Sequence, residues 1–192
     1  GSRAWEGVHI TSTGGNSIID NCLFRYGGDS GWEALNISDS NPTVTNNHFY
    51  QNGGALSISG TANPQISNNI FEEDTNAPVR MSLGTTPVFA NNQYINCNYN
   101  AIAINSGTYS ESSYTLGKQD IAGFQNIAYI IDNNLTIGEN STLTIEPGVV
   151  VKFTRDRYFS TFTVNGTLLA QGTLAEPIVF TEGRDDTYGG DT

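Results

Sequence analysis

The sequence predicts an all-β solenoid, a parallel β-helix with coils of about 22–25 residues. The first observation is a short phrase that occurs four times, as IDNCLF, VTNNHF, ISNNIF and FANNQY at residues 19–24, 44–49, 66–71 and 89–94. The second is a pair of alternating apolar residues, such as Val8/Ile10, that recurs at nearly the same interval. A repeat of this length indicates a solenoid, and apolar residues at every second position are typical of half-buried strands.

Each coil contains two or three short alternating stretches, with Gly, Asn, Asp, Ser and Thr between them as turns require. No segment has helical apolar spacing of useful length. A single coil of this size cannot bury its apolar side alone. We therefore expect each strand to pair with its equivalent one coil away, at a distance of about 4.8 Å.

Residues at equivalent positions of the four phrases should form columns along the solenoid. The predicted aromatic stack inside the coils is Phe24, Phe49, Phe71 and Tyr94. The predicted amide column is Asn21, Asn46, Asn68 and Asn91, with Cys22, Asn47, Asn69 and Asn92 beside it. Asn tolerates left-handed backbone angles at turns, and its amide can bond to the Asn above and below. We interpret the column as a structural ladder, since it lies between apolar columns; the alternative is a polar ligand-binding stripe.

The phrase changes in the second half of the chain. Strand-like segments such as 135–137 and 143–145 are separated there by turns such as Pro147-Gly148. The polar stretch between the two halves predicts a boundary or a long excursion. The expected organisation is β-helix coils with Asn and Phe ladders over 1–104, a linker or excursion over 105–128, and the opening coils of a following repeat over 129–192.

The second half carries a specific resemblance. Residues 135–153, 164–173 and 176–181 read LTIGENSTLTIEPGVVVKF, VNGTLLAQGT and EPIVFT. This run resembles the opening coils of right-handed parallel β-helix domains in large secreted bacterial proteins. In that family an acidic Gly-rich loop and then a W-x-G-I coil follow. Here the acidic loop ends the chain and Trp5-Glu6-Gly7-Val8 begins it, so the order of the segments is rotated; the resemblance specifies the fold more than the function.

The charge of the chain restricts the classes of partner. A formal net charge of −11 and a pI near 4.3 argue against nucleic acid and against anionic membrane surfaces as partners. No run of about 18 apolar residues is present, so no membrane insertion is predicted. An acidic surface rich in Asn, Ser and Thr suits an extracellular or cell-surface location and divalent cations.

The strongest candidate for a metal site is the acidic loop near residue 190. Its carboxylates alternate with glycines, at Glu182, Asp185, Asp186 and Asp191. Oxygen ligands in this pattern suit calcium, which takes about six to eight of them. The spacing is not that of an EF-hand. We predict calcium as a cofactor of this loop, and the alternative is a solvated turn between coils.

No catalytic residue can be assigned from the sequence, and enzyme activity is not favoured. The column expected to face outward beside the apolar pairs reads His9, Asn36, Ser57, Arg80, with no repeated acid or base. Glu6 and Glu33 occupy similar places in adjacent coils, and glycoside hydrolysis needs two carboxyl groups about 5–10 Å apart. Adjacent surface acids are the simpler interpretation on so acidic a chain.

We therefore predict a structural repeat module of an extracellular or cell-surface protein, such as an adhesin stalk or a filament unit. Its partner would be itself, in a head-to-tail polymer or in tandem repeats, because uncapped solenoid ends expose unpaired strands. The residues predicted at the two assembly ends are Trp5, Val8, Ile10, Ile178 and Phe180. The alternative is a carbohydrate-binding or polysaccharide-cleaving module, which requires a groove with aromatic residues and paired acids on an outer face.

Overall fold

The computed structural model describes residues 5–28, 31–154 and 160–192, which form 22 short β-strands. The strands of the first half are β1 (Val8–Ile10), β2 (Ile18–Asp20), β3 (Leu23–Arg25), β4 (Leu35–Ser38), β5 (Thr43–Thr45), β6 (His48–Tyr50), β7 (Leu56–Ser59), β8 (Gln65–Ser67), β9 (Ile70–Glu72), β10 (Val79–Met81), β11 (Val88–Ala90) and β12 (Gln93–Ile95). Those of the second half are β13 (Ile102–Ile104), β14 (Gly107–Tyr109), β15 (Ser113–Leu116), β16 (Tyr129–Ile131), β17 (Leu135–Ile137), β18 (Thr142–Ile145), β19 (Val150–Phe153), β20 (Phe162–Val164), β21 (Thr167–Ala170) and β22 (Val179–Glu182). A 3-10 turn, Ser12–Gly14, follows β1. Within the described ranges, no helix is long and apolar enough to cross a membrane.

The strands stack in parallel, coil upon coil, and the predicted all-β solenoid is confirmed. Sheet A runs along the whole molecule in the order β1-β4-β7-β10-β13-β16-β19-β22. Two further walls accompany its first half, sheet B (β2-β5-β8-β11) and sheet C (β3-β6-β9-β12). Sheet D (β14-β17-β20) and sheet E (β15-β18-β21) form the corresponding walls of the second half.

The stretch 105–128, expected to be a linker or an excursion, contains two strands and a loop. β14 and β15 begin sheets D and E, and they pair in parallel with β17 and β18. The loop that follows closes on itself through an antiparallel bridge between Ile121 and Phe124. Phe124 lies 6.1 Å from Tyr94, at the end of the first aromatic stack. The loop therefore covers the end of sheets B and C, while sheet A continues past it.

The aromatic column lies inside the first four coils. The rings of Phe24 and Phe49 stack at 4.7 Å, and those of Phe49 and Phe71 at 5.1 Å. Tyr94 meets Phe71 edge-on at 5.5 Å. Phe49 and Phe71 are fully buried. Trp5 covers the other end of the stack, 6.5 Å from Phe24.

The amide ladder lies one residue later than the sequence suggested. The predicted column, Asn21, Asn46, Asn68 and Asn91, occupies exposed corners with a left-handed φ of 54–56°. The stacked amides are those of Asn47, Asn69 and Asn92, each at most 4 % exposed. Asn47 Nδ2 donates to Asn69 Oδ1 at 3.0 Å, and Asn69 Nδ2 donates to Asn92 Oδ1 at 3.1 Å. The left-handed corner directs the first Asn of each pair outward and the second inward, so the two expected roles belong to different residues.

Candidate functional site: a groove on the outer face of sheet A

Side chains at the centre of each sheet A strand point away from the core, because neighbouring residues of a strand alternate between its two faces. The registers align them in one outward column: His9, Asn36, Ser57, Arg80, Ala103, Ile130, Lys152 and Thr181. Ala103, Ile130 and Lys152 are nevertheless at most 2 % exposed. The turns that connect the coils, and the segment after β22 that contacts Lys152, therefore cover part of this face.

A groove of about 790 Å³ opens between these turns. Its charged lining residues, among those described, are Glu33, Arg80 and Asp132. Its aromatic lining residues are Trp32, Tyr99 and Tyr109, and its amides are Asn76, Asn105 and Asn133. The groove thus combines aromatic rings with a compact charged centre.

Arg80, in the middle of β10, forms that charged centre. Its Nε donates to Glu33 Oε1 at 3.1 Å, and its Nη1 donates to Asp132 Oδ1 at 3.1 Å. Its Nη2 donates to the other Asp132 oxygen, so Asp132 engages the guanidinium with both oxygens. Two-pronged contacts of this kind are strong and fix the plane of the guanidinium.

The two carboxylates come from coils on opposite sides of Arg80. Glu33 precedes β4 and Asp132 follows β16, and each of these strands lies two places from β10 in sheet A. The turn that carries Glu33 is held by Asn36, whose Nδ2 donates to the Glu33 carbonyl oxygen at 2.6 Å. The three charged residues therefore connect five successive strands of the sheet.

Burial strongly affects the carboxyl group of Glu33. The residue is only 6 % exposed, and this burial raises its pKa, although the Arg80 guanidinium opposes the shift. The Asp132 side chain is 29 % exposed and that of Arg80 is 18 % exposed. Asp132 therefore borders the solvent side of the charged centre, and Glu33 borders its inner side.

The aromatic residues give the groove apolar surfaces at more than one point. Trp32 is 46 % exposed, and its ring meets that of His9 edge-on at 4.7 Å. Tyr109 is half-buried, and its hydroxyl donates to the Asn105 carbonyl oxygen at 3.0 Å. These contacts hold both rings in place while Trp32 keeps a solvent-facing surface.

Residues 3–116, more than half of the 192-residue chain, match the family model described as "Right handed beta helix region". The chain belongs to the right-handed β-helix family. No curated protein and no solved structure matches it. The family agrees with the resemblance seen in the sequence, and it establishes the fold of this β-helix without assigning the groove a ligand.

The sequence placed only part of this groove. It predicted the outward position of Arg80, but it paired Glu33 with Glu6, whereas the β-helix directs Glu33 towards Arg80 and leaves Glu6 exposed. Asp132 and the three aromatic residues were missed. Asp132, Trp32 and Tyr99 lie in connections between coils, and Tyr109 ends β14; no repeated phrase marks any of these positions. The spacing of strands β10 and β16 could have placed Asp132 near Arg80 only after the sheet order was known.

The predicted calcium loop folds against the outer face of the β-helix around a buried lysine. Lys152 Nζ donates to the Gly190 carbonyl oxygen at 2.7 Å and to Thr192 Oγ1 at 2.9 Å. Burial lowers the pKa of Lys152, and the carboxylates of Asp186, Asp185 and Asp191 oppose that shift. The ammonium group therefore supplies positive charge at the centre of this loop.

Asp185 is held inside the loop by two hydrogen bonds. Thr181 Oγ1 donates to Asp185 Oδ2 at 2.6 Å, and the Thr187 amide donates to Asp185 Oδ1 at 3.1 Å. Hydrogen bonds from these threonines lower the pKa of Asp185. Residues 5–28, 31–154 and 160–192 contain no group of three His, Cys, Asp or Glu side chains suited to a metal. Calcium binding by Glu182, Asp185, Asp186 and Asp191 stays a prediction.

Calcium removal tests that prediction directly. If the loop binds calcium, EDTA should lower the melting temperature of the β-helix and added calcium should restore it, because a ligand bound by the folded state alone stabilises that state. Isothermal titration calorimetry that detects no heat at millimolar calcium would contradict the prediction.

Replacing Lys152 with methionine should lower the free energy of unfolding by about 1.5–3 kcal/mol, the usual contribution of hydrogen bonds from a charged donor. Hydrogen exchange should also accelerate in residues 183–192, because the loop loses its contacts to the ammonium group. The matched control is Arg184→Met, which removes the same charge from an exposed position of the loop. Equal effects of the two substitutions would show that net charge, and not the buried contacts, holds the loop.

The predicted assembly residues lie at the two ends of the β-helix. Val8 and Phe180 are each 44 % exposed, whereas Ile10 is 8 % exposed. Trp5 and Ile178 are half-buried. β22 begins an eighth coil, and in the described residues no strand of sheet D or E follows it. Among the described strands, sheet A has one member after β19, whereas sheets D and E have none after β20 and β21.

Proposed function

We propose that this β-helix is a module of an extracellular or cell-surface protein that binds uncharged oligosaccharides in the groove around Arg80. The observation that carries the proposal is the joint presence of Trp32, Tyr99 and Tyr109 with a charged centre in one groove. Ligand sites typically combine apolar surfaces with a few placed polar groups. Sugar rings offer both, since their C–H faces pack on aromatic rings and their hydroxyl groups bond to amides and carboxylates.

The charge of the groove favours an uncharged ligand. Its described charged lining residues are one guanidinium and two carboxylates, Arg80, Glu33 and Asp132, so they carry a formal excess of one negative charge. The chain as a whole has a formal net charge of −11. The negative charge of the groove and that of the whole chain would both repel an acidic polysaccharide.

The hydrogen bonds of the groove favour binding in preference to cleavage. Glycoside hydrolysis uses one carboxyl group as the acid and a second one as the nucleophile or base. Both Glu33 and Asp132 already accept hydrogen bonds from Arg80. Both carboxyl groups are therefore directed at the guanidinium, and neither is placed to face a glycosidic bond as the acid or the nucleophile.

Binding can be tested on an array of neutral and acidic oligosaccharides, followed by calorimetry with the best ligand. We expect binding to neutral members, and Trp32→Ala should weaken it about tenfold, which corresponds to about 1.4 kcal/mol. The matched control is Tyr188→Ala, because Tyr188 is also 46 % exposed but lies outside the groove. Binding that is absent, limited to acidic members, or unchanged by Trp32→Ala would contradict the proposal.

A structural role, with end-to-end stacking of copies, is the second candidate. The registers of sheet A also align a column of inward-facing residues that begins at Val8 and ends at Phe180. This column favours stacking, because Val8 and Phe180 are each 44 % exposed, whereas the six residues between them are at most 1 % exposed. In this arrangement β22 of one copy would pair with β1 of the next.

Light scattering at increasing concentration tests this second candidate. Phe180→Asp should reduce the mean mass of the assemblies, because it places a charge in the contact. Leu169→Asp is the matched control, since Leu169 is 42 % exposed and faces away from the core on β21. A monomeric unmodified chain at high concentration would contradict stacking.

A further inference from the structure

The guanidinium of Arg80 has the geometry of a carboxylate receptor. Its planar fork presents paired N–H groups that match both oxygens of a carboxylate. Of the described residues that line the groove, Arg80 is the one that carries a positive charge. If the guanidinium were free, the carboxylate of a sugar acid in this groove would therefore bind to Arg80.

The fork is occupied by Asp132. Both Asp132 oxygens accept hydrogen bonds from the two terminal nitrogens of Arg80, with Nη1 to Oδ1 at 3.1 Å. The remaining donor, Nε, donates to Glu33 Oε1 at 3.1 Å. Asp132 thus stands where the carboxylate of an acidic ligand would bind.

The exposure of the three side chains separates their roles. The Glu33 side chain is 8 % exposed and lies beneath Arg80, where its removal would leave buried groups unpaired. The Asp132 side chain is 29 % exposed, on the side that faces the groove. A ligand can therefore reach the position of Asp132 more readily than that of Glu33.

We infer that Asp132 is the specificity-determining residue of the groove, because its carboxylate occupies the Arg80 fork and thereby excludes acidic sugars. This inference rests on the proposed binding of oligosaccharides. Its consequence is a defined change in selectivity: removal of the Asp132 charge converts the groove from one that rejects uronic acids into one that accepts them.

The test uses two ligands of one framework, a neutral oligosaccharide and the same oligosaccharide oxidised to the uronate at C6. Asp132→Asn keeps the size of the side chain and removes its charge. We expect its affinity for the uronate to rise at least about tenfold relative to the neutral ligand, since hydrogen bonds between the freed guanidinium and a carboxylate are charge-assisted and strong. Asp186→Asn is the control, because it makes the same charge change outside the groove.

A second substitution attributes the gain to Arg80. In the double variant Asp132→Asn/Arg80→Met the uronate preference should disappear, provided that circular dichroism shows a folded chain. Arg80→Lys serves the same purpose if that variant does not fold, since a lysine lacks the two-pronged fork. A selectivity ratio in Asp132→Asn equal to that of the unmodified chain would overturn the inference. If the unmodified chain binds neither ligand, the proposed function fails, whereas uronate binding gained by Asp132→Asn would still support the role of Asp132.

Discussion

Replacing Phe49 with alanine should lower the free energy of unfolding by about 3–5 kcal/mol, the usual cost of removing a large aromatic side chain from a core. The ring is fully buried and stacks between Phe24 at 4.7 Å and Phe71 at 5.1 Å. Its neighbours belong to adjacent coils, so the cavity would interrupt the stack along the axis. Urea unfolding followed by circular dichroism measures the change.

The matched control for this substitution lies on the same strand. Tyr50→Ala removes an aromatic side chain that is half-buried on the outer side of β6, where its ring lies 5.1 Å from the Arg25 guanidinium. Its loss should cost about 1 kcal/mol or less, as expected for an exposed cation–π contact. Comparable losses for Phe49 and Tyr50 would contradict the inward register of the aromatic column.

Replacing Arg80 with methionine should also cost about 3–5 kcal/mol at neutral pH, the usual consequence of removing one partner of a buried ion pair. The substitution leaves Glu33, which is 6 % exposed, without its counter-charge. Burial already raises the pKa of Glu33, and Arg80 opposes that shift, so the pKa should rise further in the variant. Thermal or urea unfolding across a pH series measures both effects.

The direction of the pH dependence follows from proton binding. A folded-state pKa above the ordinary value of 4.5 means that the folded state binds the Glu33 proton more tightly than the unfolded state. The deficit of Arg80→Met should therefore be largest above the raised pKa and should shrink as the pH falls towards 4.5. The control is the double variant Glu33→Gln/Arg80→Met, in which the pH dependence of stability that comes from Glu33 should vanish. Parallel pH profiles for the two variants would contradict the assignment to Glu33.

The sequence was sufficient to predict the fold because its period, its alternating apolar pairs and its repeated phrase all describe the same coil. The positions of Phe24, Phe49 and Phe71 follow from that period. The ladder of amides was displaced by one residue because the left-handed corner at residues such as Asn46 determines which Asn turns inward, and the period alone does not contain that information.

The groove could be predicted only in part, for a different physical reason. Arg80 belongs to the regular column of sheet A, so its outward direction could be read from alternation. Glu33, Asp132 and Trp32 lie in connections of unequal length, whose paths depend on contacts between distant coils. The same holds for Lys152, whose burial depends on a loop that ends about forty residues later in the chain.

The most direct test of the proposed function uses the two tryptophans of the chain as separate reporters. Trp32 lines the groove, whereas the indole of Trp5 donates to the Arg25 carbonyl oxygen at 2.9 Å near the first coil. In ¹H–¹⁵N NMR spectra the two indole signals can be assigned with Trp5→Phe and Trp32→Phe. Titration with a neutral oligosaccharide should shift the Trp32 signal and leave the Trp5 signal in place. An unchanged Trp32 signal at saturating oligosaccharide would contradict ligand binding in the groove.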